Sequence, residues 1–279
     1  MKTVLEVLRA TTDYFARHGV ESPRLNAEHL FAHVLGRKRI ELYMEFDRPL
    51  GERELAPLRE LVRRRGEGEP LQHLLGTVEF HGRLFAVDAR ALIPRPETEL
   101  LMELTLKEPL PPNARILDVG TGSGVIALTL AAERPDAVVT AVDVSSDALA
   151  LARENAARLG LSERVKFFQS DLLSAVEGTF DLIVANLPYI PAGEIAGLSR
   201  EVQRDPRLAL DGGPVGTELI VRLLNEAKNH LNPGGRLALE IGHDQAAALA
   251  EEMKRQNYRD IRPVADYQNV LRFLFATYG

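Results

Sequence analysis

Apolar side chains recur at helical spacing through the first 75 residues. Val4, Leu5, Leu8 and Phe15 mark one helix. Ser22-Pro23 reads as an N-cap followed by a proline at the first helical position. The helix it opens carries Leu25, His29, Leu30, Ala32, Val34 and Leu35, and Gly36 ends it. Another helix runs over residues 52–65, before the turn Gly66-Glu67-Gly68-Glu69-Pro70. No strand pattern precedes residue 76, so residues 1–75 are predicted to form a small helical bundle. Arg63-Arg64-Arg65 reads as the solvated end of a helix, where cations suit the dipole, with a partner-binding role as the alternative.

The period then changes. Thr77–Phe80 and Arg83–Val87 flank His81-Gly82 and predict a short β-hairpin. In Ile93-Pro94-Arg95-Pro96-Glu97-Thr98-Glu99, two prolines prevent regular structure until a helix begins near Glu97. Residues 76–96 therefore read as the joint between the helical domain and a second domain at 97–279. Beyond Arg115, strands and helices alternate. Strands are predicted at 115–119, 138–142, 165–169, 180–185 and 236–241. Helices are predicted at 124–132, 146–159 and 217–230, the last closed by Asn232-Pro233-Gly234-Gly235. Ile261–Val264 and Val270–Phe275 read as a final hairpin. The alternation predicts an α/β fold with a mostly parallel, doubly wound sheet. Ligands in such sheets sit at the carboxyl ends of the strands.

Composition narrows the chemistry. The chain has no cysteine, which excludes disulfides, thiolate catalysis and Cys-ligated zinc. Its seven histidines lack HExxH or similar spacing, so no metal site is expected. A net charge of −6 disfavours broad nucleic-acid binding, and no stable nucleic-acid complex is expected. No basic-then-apolar leader and no bilayer-length apolar run is seen, so a cytoplasmic chain without a membrane span is expected.

Ile116-Leu117-Asp118-Val119-Gly120-Thr121-Gly122-Ser123-Gly124 reads as strand, glycine turn and helix start. Glycines let the backbone turn tightly and approach a ligand. Gly122-x-Gly124-x-x-Ala127 fits a dinucleotide fingerprint as well as an S-adenosylmethionine loop, so the glycines leave the nucleotide open. Asp143 ends the next strand, where an acid hydrogen-bonds ribose hydroxyls. It also fits an N-cap, although Ser145 or Ser146 serves that role better. After the third strand, Asp171 can accept from an adenine amino group and Leu172 can pack on the ring. The set resembles the class I S-adenosylmethionine-dependent methyltransferases over residues 112–279. No catalytic His, Lys or Tyr constellation of an NAD enzyme is found.

Asn186-Leu187-Pro188-Tyr189 follows the apolar run Phe180–Ala185. An amide –NH2 is a poor nucleophile, and two acceptors that bind its hydrogens favour the geometry that frees its lone pair. The Asn186 side-chain carbonyl is one acceptor. The backbone carbonyl of Leu187, held extended before a proline, is the other. Tyr189 offers a ring to pack on the acceptor plane. The tetrapeptide is similar to the (Asn/Asp/Ser)-Pro-Pro-(Tyr/Phe) motif of amino methyltransferases, departing from it at Leu187. Asn-Leu-Pro-Tyr also occurs in rRNA adenine dimethyltransferases, so an adenine-N6 methyltransferase acting on RNA or DNA is the alternative.

Ile93–Glu99 and the upstream Glu69–Gly76 resemble the HemK/PrmC family of release-factor glutamine methyltransferases. So do Glu201–Pro206 with Leu210–Gly213, and Pro233–Gly235 leading to Leu239–Gly242. That resemblance implies a Rossmann-like, mostly parallel seven-stranded sheet with a small N-terminal helical domain and a β-hairpin joint. The activity implied is methyl transfer from S-adenosylmethionine to the glutamine amide nitrogen of the Gly-Gly-Gln motif in release factors 1 and 2, with the helical domain docking the substrate. Gly120, Thr121, Gly122, Ser123, Gly124, Asp143, Asp171, Leu172 and Asn186 are assigned to the cofactor. Asn186, Leu187, Pro188 and Tyr189 are assigned to the acceptor and its chemistry. Arg95 and Glu97 either form an inter-domain ion pair or line the entrance.

Overall fold

A computed structural model describes residues 2–279. The chain divides into two compact units, residues 1–77 with 199–204, and residues 78–198 with 205–279.

The first unit is built from α1 (Val4–Arg17), α2 (Pro23–Leu35), α3 (Arg39–Leu42), α4 (Glu52–Gly66) and α5 (Leu71–Leu75). Its core gathers Val4, Leu8, Phe15, Leu30, Phe31 and Leu58. Thr3 caps α1 through a reciprocal pair with Glu6, which satisfies two otherwise orphaned N–H groups. Ser22 does stand before Pro23, but in the left-handed region (φ 46°), and its side chain makes no capping bond. Asn26 instead donates to the Glu21 carbonyl at 2.8 Å. The arginine run also departs from its reading. Arg63 and Arg64 are paired near the surface, but the Arg65 side chain is only 3% exposed. It donates to Asn26 Oδ1 (2.8 Å), the Glu69 carbonyl (3.0 Å) and Glu201 (2.5 Å). A guanidinium is tolerated inside because three acceptors meet its donors. The short helices α3 and α5 are too brief to show a helical period.

The hairpin β1 (Thr77–Phe80) and β2 (Arg83–Ala86) turns through His81 and Gly82, both at positive φ, as a two-residue hairpin loop requires. In the second unit follow α6 (Pro96–Leu106), β3 (Arg115–Val119), α7 (Val125–Glu133), β4 (Val138–Asp143), α8 (Ser146–Arg158), β5 (Val165–Gln169), β6 (Phe180–Asn186), α9 (Glu218–Ala227), β7 (Leu231–Glu240), α10 (Ala246–Arg255), β8 (Tyr258–Ala265) and β9 (Leu271–Tyr278). Seven strands form one sheet in the order β5-β4-β3-β6-β7-β9-β8. Pairings are parallel from β5 to β7 and antiparallel for β9. Two apolar clusters cover the sheet, one containing Leu117, Ile183, Leu223 and Leu237, the other Ile116, Leu128, Leu182 and Phe273. Alternation along each buried strand sends neighbouring side chains to opposite clusters.

Two boundaries differ from expectation. The predicted 217–230 helix is confined to α9, and Asn232-Pro233-Gly234-Gly235 belongs to β7. The irregular register between Phe180 and Leu182 absorbs that stretch. The amphipathic helix α10 was not read, although it buries Ala246, Leu249 and Met253 at spacings of three and four.

Candidate active site

The chain leaves β3 for β4 on one side and returns to β6 on the other, which opens a crevice above β3. A cavity of about 280 Å³ lies there. That is near the lower end of small-molecule sites, which span roughly 300–1,000 Å³.

One wall is the turn after β3. Gly120, Gly122 and Gly124 all have positive φ, at 73°, 55° and 85°. At Gly120 an added Cβ would also sit 2.9 Å from Leu187 Cδ2. At Gly124 it would meet Ala152 Cβ and Leu128 Cδ1 at 3.1 Å, so glycine there lets α7 seat against α8. The Gly120 and Thr121 N–H groups donate to the Val142 carbonyl at 2.9 and 3.0 Å. The Thr121 hydroxyl donates to Asp118 Oδ2 at 2.6 Å. Ser123 is buried, its carbonyl accepting from Asn155 at 2.9 Å. Burial pushes the Asp118 carboxyl up to about 7.

Asp143, at the end of β4, faces the turn. Its Oδ2 accepts from the Gly122 N–H and its Oδ1 from the Ser145 N–H, both at 2.9 Å. Burial raises its pKa, and those backbone donors oppose the rise. Ser145 is the N-cap of α8 and accepts from Ala148 N, which leaves Asp143 to the turn. Asp171 and Leu172 line the far end of the cavity. Asp171 also pairs with Arg222 at 3.0 Å, and Leu172 sits at φ 47°.

The opposite wall is the end of β6. Asn186, Leu187 and Pro188 line the cavity, while Tyr189 and Glu97 lie outside its lining. The Asn186 amide nitrogen donates to the Thr98 hydroxyl at 3.0 Å, and that hydroxyl donates to Glu240 Oε2 at 2.8 Å. The Tyr189 hydroxyl is 3.5 Å from Glu240 Oε1, and burial raises its pKa. Arg95 lines the cavity but pairs with the buried Asp205 (2.6 Å), whose other oxygen takes the Ile93 N–H. Both partners lie in the second unit, so the Arg95 pair is not inter-domain.

Thr98 and Glu240 are functional residues to which the sequence motifs alone assign no role. Glu240 ends the apolar run Leu237-Ala238-Leu239, and an acid ending a buried strand is the signal that could have found it. Asp205 carried no such mark.

Family models match twice, a PrmC N-terminal domain over residues 6–76 and a methyltransferase small domain over residues 96–199. A release factor glutamine methyltransferase of Chlorobaculum tepidum is 44% identical over 98% of this chain and 96% of its own length. One of Deinococcus radiodurans is 43% identical over 92% and 93%. The chain belongs to the release factor glutamine methyltransferase family. A methyltransferase from Pyrococcus furiosus shares the fold at a TM-score of 0.54 and 25% identity, over 70% of this chain and 88% of that one.

The enzyme is accordingly an S-adenosylmethionine-dependent methyltransferase, and the cavity suits that cofactor. Gly120 and Gly122 bring backbone without side chains to the cavity wall, and acids stand at the end of β4 (Asp143) and just past β5 (Asp171). The lining between them is mainly apolar, as at Val119, Ile126, Leu172 and Leu187. A charged amino-acid end, a ribose and a flat base call for that mixture of polar ends and apolar middle.

Proposed function

We propose that this chain transfers a methyl group from S-adenosylmethionine to the side-chain amide nitrogen, N5, of the glutamine in the Gly-Gly-Gln motif of release factors 1 and 2. The observation that carries the reading is one shared cavity. The glycine turn and Asp143 form one wall, and Asn186, Leu187 and Pro188 form the other, in a chain with the sequence relatives above.

In this reading Asp143 would hold the ribose hydroxyls and Asp171 the adenine amino group, with Leu172 against the ring and the turn Gly120–Gly124 holding the rest of the cofactor. The Asn186 side-chain carbonyl and the Leu187 backbone carbonyl each accept one hydrogen of the substrate amide. Fixing both hydrogens orients the nitrogen lone pair, and most of the catalytic advantage lies in that orientation. When bound, S-adenosylmethionine would supply a sulfonium-activated methyl, with its sulfur as the leaving group. The amide nitrogen then loses one proton to water, so no strong base is required beforehand. Pro188 stiffens the turn, and Tyr189 backs the pocket from outside the lining. Arg95, braced by Asp205, and Glu97 border the entrance. The helical domain docks the release factor in the cytoplasm, and no stable nucleic-acid complex is part of the cycle.

Labelled S-adenosylmethionine incubated with the enzyme and either a release factor or RNA tests the assignment. Label is expected on the Gly-Gly-Gln glutamine. Label on RNA alone would make the enzyme an adenine methyltransferase.

A further inference from the structure

We propose that Thr98 and Glu240 are positioning residues that fix which way round the Asn186 amide points, so that its oxygen faces the acceptor nitrogen. The inference rests on the proposed role of Asn186 as an amide acceptor.

The argument is one of hydrogen-bond polarity. Asn186 and Glu240 end neighbouring parallel strands and are directly paired in register. Thr98 lies in the first turn of α6 and is 3% exposed, and Glu240 is 2% exposed. An ionised carboxylate only accepts hydrogen bonds. The Thr98 hydroxyl, 2.8 Å from Glu240 Oε2, must therefore give its single proton to that carboxylate. Only a lone pair remains towards Asn186, 3.0 Å away, so the Asn186 group at that contact must be –NH2. Its oxygen is then turned the other way. The reversed amide would set oxygen against a hydroxyl lone pair and would point –NH2 at the –NH2 of a substrate glutamine. Electron density rarely separates amide N from O, but this chain of donors does.

The polarity holds only while Glu240 is ionised. Burial pushes its carboxyl up to about 7. Glu97 acts in the same direction, Arg272 and the Thr98 and Asn186 hydrogen bonds oppose it, and the Tyr189 hydroxyl faces Oε1. A protonated Glu240 can donate to Thr98, which frees the hydroxyl to donate to Asn186 oxygen and reverses the amide. Single-turnover methylation should therefore rise with pH through about 7.

The test compares single-turnover rates and S-adenosylmethionine affinity across pH for the wild type, Thr98→Val, Thr98→Ser, Glu240→Gln and Asn186→Ala. Thr98→Val is expected to slow transfer about tenfold, the size of one unpaired buried donor, with cofactor affinity unchanged. Thr98→Ser keeps the hydroxyl and should restore the rate. Glu240→Gln should lose the inflection near neutral pH. A wild-type rate in Thr98→Val, or an unchanged inflection in Glu240→Gln, overturns the inference. If Asn186→Ala itself keeps the wild-type rate, the acceptor reading fails instead.

Discussion

The two walls of the cavity are built in different ways. The cofactor wall is local. From Gly120 to Gly124, five consecutive residues with three positive φ angles set the backbone, and Asp143 on the adjacent strand secures it. The acceptor wall is assembled from three distant parts of the chain. Asn186 depends on Thr98, 88 positions earlier in the chain, which depends on Glu240, 142 positions after Thr98. A backbone conformation is specified by the residue that adopts it. A hydrogen-bond polarity is specified by whatever stands at the end of the chain of donors. The first wall should therefore fail through strain, and the second through orientation.

The sharpest break is on the acceptor side. Asn186→Ala removes the side-chain acceptor and leaves the glycine turn intact. Transfer is expected to fall by about 10²–10³-fold, the scale seen when one preorganised partner of a reacting group is lost. Cofactor affinity should stay near normal in a direct binding titration. Loss of cofactor binding in this variant would mean that the walls are not separable.

On the cofactor side Gly120→Ala is the counterpart. A residue with a Cβ at φ 73° costs about 1–2 kcal/mol, and here the Cβ would also press on Leu187 Cδ2 at 2.9 Å. Cofactor affinity should drop about tenfold, with a lower Tm. Leu187→Ala in the same chain removes the contact but not the strain, so it should recover part of the loss. Full recovery would show that strain was not the cause, and no recovery that the contact was not.

The contrast also explains what could be read from the sequence. The strands β3 to β6, the glycine turn and Asp143 were legible because their signals are short-range: apolar runs, glycines and an acid at a fixed interval. The hairpin was legible because His81-Gly82 suits a loop with two positive φ angles. Arg65 was misread because a helix end gives no sign of the distant Glu201 that pairs with it. The extent of β7 was missed because Pro233 and Gly234 normally interrupt strands. Thr98 and Glu240 were visible as residues but not as partners of Asn186, since only the fold sets β6 beside β7 and packs α6 against β7. Leu187, where proline was expected, proves to be more than a backbone carrier. Its buried side chain reaches across to Gly120 and is the one direct packing contact described above between the walls.

The smallest expected effect concerns stability, and its sign differs from that for activity. In the folded protein Glu240 holds its proton up to about 7, against an ordinary value of 4.5. Over that interval the folded state binds more protons than the unfolded state, so stability falls as pH rises. Activity should rise over the upper part of the same interval, because the ionised carboxylate is what orients Asn186. Glu240→Gln removes the burial of a charge but keeps an acceptor for Thr98. Its Tm should therefore gain on the wild type by roughly 2–4 °C between pH 5 and pH 8. The raised Asp118 is common to both proteins and cancels in the difference. A Tm gap that stays flat across this range would mean that Glu240 does not ionise within the fold, and the acceptor wall would then need another source of its polarity.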